Sequence, residues 1–165
     1  MSKRILPRPT PSKDDFYMGM AFWASAKSKD PNNQSGAFII SFDNTPLGWG
    51  YNGPPAKISD TAINWEQTEK ADFISCAEEN AIDFSYGPLE NCIMYVTVKP
   101  CPKCILRIVK SGIKKVIYYS SAKKQIADKT EEIAKLGAVQ LIAFDGNLNW
   151  MRDRMKWMES VGVFD

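Results

Sequence analysis

The chain has 165 residues, 44% of them hydrophobic and 24% charged, which suits one globular domain with a buried core. Its 21 basic and 19 acidic residues leave a net charge of +2, so no electrostatic footprint for broad nucleic-acid binding is present. The longest nearly uninterrupted apolar runs, Ala37–Ile40 and Ile105–Val109, are far too short to span a bilayer, which argues against a membrane partner.

Residues 1–11 hold three prolines and several charges, and read as an extended arm ahead of one domain over 12–165. The arm lacks the apolar stretch of a secretory signal. Four cysteines without such a signal point to a reducing, cytoplasmic setting. Ser12–Ser28 has helical spacing, with Ser12 as N-cap, Asp14 and Asp15 in the first turn, and Phe16, Met20 and Ala24 expected in the core. SKDPNNQSG is a loop. GAFIISF and LGWGY flank a turn at DNTP and read as a hairpin. A polar helix is expected over Asp60–Lys70, and a further helix over Cys76–Phe84.

From Cys92 the order becomes strand (Cys92–Val98), helix (Cys101–Lys110), strand (Lys114–Tyr119), helix (Asp128–Leu136), strand (Val139–Phe144). A terminal amphipathic helix follows over Asn147–Val161. Trp150 and Trp157 on it read as a core or subunit-contact stripe. Short connections between those three strands demand parallel pairing through helical crossovers. With the hairpin, the expected architecture is a three-layer α/β/α domain on a five-stranded mixed sheet.

The chemistry concentrates in SCAEENAI and PCPKC. Pro100 favours an extended turn, so Cys101 should fall at the start of the next helix, with Cys104 one turn on. Cys76 also begins a predicted helix. Free N–H groups and the dipole at a helix start stabilise thiolates, and two such ends aimed at one point make a pocket for them. Three sulfurs fill three positions of a tetrahedral zinc ion and leave the fourth for water, as a catalytic site requires. Glu78, in the first turn after Cys76, is placed to act as general acid and base. Taken alone, CxxC could equally be a pair of buried thiols or a redox pair. A closed four-cysteine site using Cys92 is the other competitor. However, Cys92 opens the strand whose far end delivers Cys101, nine residues on, a separation of about 30 Å less the turn, and is expected to be a small core residue. Glu79 is expected on the helix surface.

Cys76-Ala77-Glu78 followed by Pro100-Cys101-Pro102-Lys103-Cys104 resembles the signature of the zinc-dependent nucleobase deaminases. FYMGMAFWASAKSKDPNNQSGAFIIS, GWGYNGPP, CAEENAI and MYVTVKPCPKCILRIVKSGIKKVIYY extend the resemblance across residues 16 to 120. They are most similar to the deoxycytidylate (dCMP) deaminase branch. The resemblance implies a cytidine deaminase-like fold and hydrolysis of dCMP to dUMP and ammonia, with zinc activating water. Glu78 then protonates ring nitrogen 3 and afterwards the departing amine. It further implies base contacts from the Ala77 N–H and from the carbonyls of Thr97 and Val98, a sugar contact from Asn52, and phosphate contacts from Ser28 and Lys29. A homo-oligomer, a hexamer by resemblance, and dCTP and dTTP as effectors belong to the same implication.

The branch usually carries histidine where this chain has Cys76. A third thiolate makes the site more negative and weakens zinc as a Lewis acid, so a nearby cation is expected, Lys103 or Arg107. Related readings are a deaminase of dCTP or 5-substituted dCMP, a nucleic-acid base deaminase, which the near-neutral charge argues against, and a zinc-binding module without turnover.

Overall fold

The computed structural model describes residues 7–66, 70, 72–120 and 124–163, without the side chains of 124–128. Five strands form one sheet in the order β2-β1-β3-β4-β5: β1 (Gly36–Ile40), β2 (Pro46–Tyr51), β3 (Ile93–Val98), β4 (Lys115–Ser120) and β5 (Gln140–Ala143). The hairpin strands β1 and β2 are antiparallel, β1 pairs antiparallel with β3, and β3, β4 and β5 run parallel. The mixed five-stranded sheet expected from the sequence is therefore present.

Alternation along the central strands sorts their side chains to two faces. Ala37 and Ile39 of β1 and Met94 and Val96 of β3 join a cluster with residues of α2 (Ala77–Asp83), α3 (Pro102–Ser111) and α4 (Lys124–Leu136). Phe38, Ile40 and Tyr95 face the other way, onto α1 (Lys13–Ser25), with Leu148 packed beside them just before α5 (Asn149–Ser160). Each of the residues between, from Ala37 to Ile40 and from Met94 to Val96, is at most 7% exposed. Both faces of the sheet are thus covered, giving three layers. No helix among the described residues is long and apolar enough to cross a membrane.

Ser12 caps α1 through a 3.1 Å bond from the Asp15 N–H, as its position predicts. The helix ends at Ser25, three residues earlier than expected, where the Ser25 hydroxyl turns back to the Phe22 carbonyl. Its core face is Met18, Ala21, Ala24 and Ser25, which corrects the expectation for Phe16. Four residues exceed one turn, so the row from Phe16 through Met20 to Ala24 drifts by about 40° per step. It starts in solvent and finishes in the core. Phe16 is 42% exposed and stacks on Trp150 at the rim instead. Trp157 is exposed, with Arg154 4.0 Å from its ring.

The helix expected over Asp60–Lys70 does not form across the described part. Only a 3-10 turn at Asp60–Ala62 is present, Ser59 makes no side-chain cap, and Ile63 is already extended. A polar segment with no apolar face has nothing to bury, so tertiary structure does not reward a helix there. Residues 67–69 lie outside the described residues.

Candidate active site

Two glycines bring α2 down onto the sheet. Gly48 and Gly50 of β2 lie against the α2 backbone, where a Cβ on Gly50 would stand 2.5 Å from the Ala77 carbonyl. Cys76 is the N-cap of α2, and its sulfur meets the start of α3. Across from it, β3 ends at Val98, and Lys99-Pro100 leads into α3 with Cys101 as N-cap and Pro102 at the first helical position. The Cys101 sulfur accepts the Cys104 N–H at 3.4 Å. Both helix starts thus converge, as the sequence argued.

The outcome is one sulfur cluster. The Sγ atoms of Cys76, Cys101 and Cys104 all lie within 4.8 Å of one another. Sulfurs about 2.3 Å from a common tetrahedral ion stand about 3.8 Å apart, so modest closure suffices to hold zinc. Among the three thiols the charge settles on one sulfur. Hydrogen bonds from Cys104 and Cys76 draw Cys101 down to about 2, while Cys76 is pushed up to about 12, chiefly by donating to Cys101. Cys104 is raised for the same reason and is fully buried. Three sulfur donors that lose their protons on binding a cation suit zinc or another thiophilic ion. Cys92 stands apart: it is 2% exposed and its sulfur faces the Pro88 and Glu90 carbonyls. It is a core residue, as expected.

Glu78 is 6% exposed. Burial raises its carboxyl to about 7, and the charges of Cys101 and Glu79 push the same way. A carboxyl poised there can both take and give a proton near neutral pH.

The other expected site residues lie on α2, on β3 and in the loops before β1 and after β2. Ala77 is fully buried at the first position of α2, and Val98 is half-buried at the end of β3. Thr97 is buried, its hydroxyl accepts the Gly36 N–H at 3.0 Å, and its carbonyl accepts the Ser120 hydroxyl at 3.0 Å. Asn52 is 5% exposed and braces the 30–35 loop: Oδ1 accepts the Ser35 N–H at 2.8 Å and Nδ2 donates to the Asn33 carbonyl at 2.7 Å. Ser28 donates to the Asn52 carbonyl at 2.9 Å, and Lys29, largely exposed, pairs with Asp60.

Three features went unread in the sequence. Glu79 is 5% exposed, not a surface residue. Its Oε2 accepts the Cys76 N–H at 3.0 Å, and its Oε1 lies 3.2 Å from Lys103 Nζ. The three-residue spacing from N-cap to glutamate, the pattern of a capping box, is the signal that could have shown it. Lys103 and Arg107, the candidate cations, are both paired with carboxylates, Lys103 with Glu79 and Arg107 with Asp83. Finally, α4 braces the approach to Cys101: Thr130 donates to the Pro100 carbonyl at 2.9 Å and Glu131 pairs with buried Lys99. Contacts spanning some thirty residues leave no local trace in sequence.

Residues 11–120 match the family described as the cytidine and deoxycytidylate deaminase zinc-binding region. The chain belongs to this family. The match covers both cysteine segments, so the region the family uses for zinc is the one in which the three sulfurs gather. Human deoxycytidylate deaminase is 38% identical over 113 residues, which span 64% of this chain and 64% of that protein. The mouse deoxycytidylate deaminase is 32% identical over 158 residues, 92% of this chain and 85% of the mouse protein. In three dimensions the chain is similar to the dCMP deaminase of the cyanophage S-TIM5, solved with dCMP and dUMP. The TM-score is 0.67 at 23% identity, over 83% of this chain and all of that one. That likeness shows that the two chains share a fold.

Proposed function

We propose that the protein hydrolyses the exocyclic amine of dCMP, giving dUMP and ammonia. The observation that carries this reading is the convergence of Cys76, Cys101 and Cys104 on one point, with the buried Glu78 carboxyl in the same helical turn as Cys76. The family membership and the names of the human and mouse relatives support the substrate.

Zinc held by Cys76, Cys101 and Cys104 would supply the Lewis acidity that activates water near neutral pH. The remaining steps are carried by the chain itself. Glu78 takes a proton from the attacking water and delivers it to ring nitrogen 3, then passes the second to the amine that leaves as ammonia. Its raised carboxyl is suited to holding each proton in turn. We assign the Ala77 N–H and the Thr97 and Val98 carbonyls to the base edge. Each carbonyl offers a second lone pair, so the Ser120 bond leaves Thr97 capacity. Asn52 likewise retains one N–H and one lone pair for a sugar hydroxyl beyond its two loop bonds. For the 5′-phosphate the assignment is the exposed Lys29 ammonium, with Ser28 fixing the loop that carries it.

The division into an arm (1–11) and one domain (12–165), self-association, response to dCTP and dTTP, and a cytoplasmic setting belong to the same reading. Free thiols at the centre suit a reducing compartment, and Phe84 and Tyr86, 69% and 83% exposed, offer surface for a second copy.

The test follows ammonia release from cytidine, dCMP, dCTP and 5-methyl-dCMP with zinc quantified in the same samples. dCMP should be the preferred substrate. Glu78→Gln should keep one zinc per chain and lose turnover by about a hundredfold or more. Full turnover in that variant, or deamination of cytidine in preference to dCMP, would refute the proposal.

A further inference from the structure

The two cysteine-bearing helix ends come from separate parts of the chain, and one carboxylate touches both. Cys101 and Cys104 sit on one helix start, so their spacing is settled locally. The place of Cys76 relative to them depends on how α2 and α3 meet. At that meeting point Glu79 accepts the Cys76 N–H through Oε2 at 3.0 Å and faces Lys103 Nζ through Oε1 at 3.2 Å. Lys103 lies between the two cysteines of α3. The capping bond alone would tie Cys76 to its own helix; the contact with Lys103 is the one that crosses to the partner ligands.

We infer that Glu79 is a positioning residue for the metal centre, clamping Cys76 to the CxxC segment through Lys103. The inference rests on reading the three cysteines as zinc ligands. Burial and charge both support it. The Glu79 side chain is 6% exposed, and a carboxylate so buried is stable only where charged or N–H donors meet both of its oxygens, which is what Cys76 and Lys103 provide. Charge points the same way. Three thiolates around a divalent ion already leave the centre one unit negative, and a bare Glu79 carboxylate would add another. Lys103 cancels that charge at the place where it arises. The clamp therefore orders the third ligand without adding net charge, and Lys103 answers for Glu79 rather than for the extra sulfur. Residues that orient metal ligands in this way typically contribute a factor of 10 to 100 in metal affinity.

The experiment measures zinc affinity by competition with a chromophoric chelator, and the sulfur-to-metal charge-transfer band after loading with cobalt(II). It compares wild type with Glu79→Ala, Glu79→Gln, Lys103→Met and the Glu79→Gln/Lys103→Met pair. Glu79→Ala should weaken zinc binding by about 10- to 100-fold and reduce the cobalt band per ion. Glu79→Gln, which keeps an acceptor for the Cys76 N–H, should fall between it and wild type. Lys103→Met should also weaken binding, because it strands a buried carboxylate beside the thiolates, and adding Glu79→Gln should recover part of that loss. If Glu79→Ala fails to fold, Lys103→Met decides, since Lys103 is 78% exposed and its loss leaves the core intact. Wild-type affinity and an unchanged cobalt band in both Glu79→Ala and Lys103→Met overturn the clamp. Cys76→Ala serves as the reference: undiminished zinc binding there overturns the three-sulfur reading itself, a result distinct from failure of the clamp alone.

Discussion

Adding a single methyl group at Gly50 tests whether the seat of α2 on the sheet governs the chemistry. A Cβ at Gly50 would stand 2.5 Å from the Ala77 carbonyl oxygen and would also overlap the Ala81 nitrogen. Both atoms belong to helix backbone and cannot rotate away. Restoring ordinary contact at 3.4 Å requires α2 to rise by about 1 Å. Cys76 and Glu78 ride on that helix, while Cys101 and Cys104 stay with β3 and α3. Gly50→Ala should therefore lose about 1–3 kcal/mol of stability through overpacking. Turnover should fall by about a hundredfold even at temperatures where the protein is fully folded, because a shift of about 1 Å at reacting groups costs that much. Urea denaturation of the zinc-loaded protein gives the first quantity, and initial rates with dCMP give the second. Gly53→Ala is the control: its Cβ would meet only the Tyr51 ring at 3.6 Å, so stability should stay within about 0.5 kcal/mol. A Gly50→Ala protein that turns over dCMP at the wild-type rate would show that the height of α2 does not set the geometry of the site.

Cys92→Ala should leave zinc stoichiometry at the wild-type value and lower stability by about 1–2 kcal/mol, whereas Cys104→Ala should lose the metal; elemental analysis after dialysis separates the two. Asn52→Ala removes the acceptor for Ser35 N–H and the donor to the Asn33 carbonyl, so it should lose about 1–3 kcal/mol by urea titration in addition to any rise in KM. Asp30 gives a pH test. Burial alone would raise its carboxyl, but bonds from Lys70 and from the N–H groups of Asn32 and Asn33 outweigh it and hold it below 3.8. A depressed folded-state value stabilises above the unfolded value and fades as pH falls through the folded one. Asp30→Asn should therefore be less stable than wild type at pH 7, by about 1–3 kcal/mol, with the gap closing below pH 4 in thermal melts. A gap that widens on acidification would contradict this assignment.

The relation between sequence and structure differs from one element to the next. Where local chemistry decides, the residues sufficed. Ser12 with its following aspartates, and Pro100 before Cys101, each favour the backbone state that opens a helix. The hairpin around DNTP and the short strand–helix–strand connections implied the sheet, because turn chemistry and loop length leave few alternatives. The sulfur centre was legible for a related reason: CxE and CxxC each place their donors within one helical turn, so the only tertiary fact required was that the two turns meet.

What the amino-acid order alone could not decide was every question answered by a distant partner. Asp60–Ala62 stops after one turn with none of its residues buried, and Phe16 lies at the rim because α1 settles on the sheet by its Met18–Ala21 face. Glu79 became a buried link between Cys76 and Lys103, and Lys99 found Glu131, through contacts that exist only after the layers have closed. Identity and near-neighbour spacing determine which groups can bind a metal or carry a proton. Packing determines how deeply a charge is buried and which opposite charge meets it, since both depend on energies summed over residues far apart along the chain.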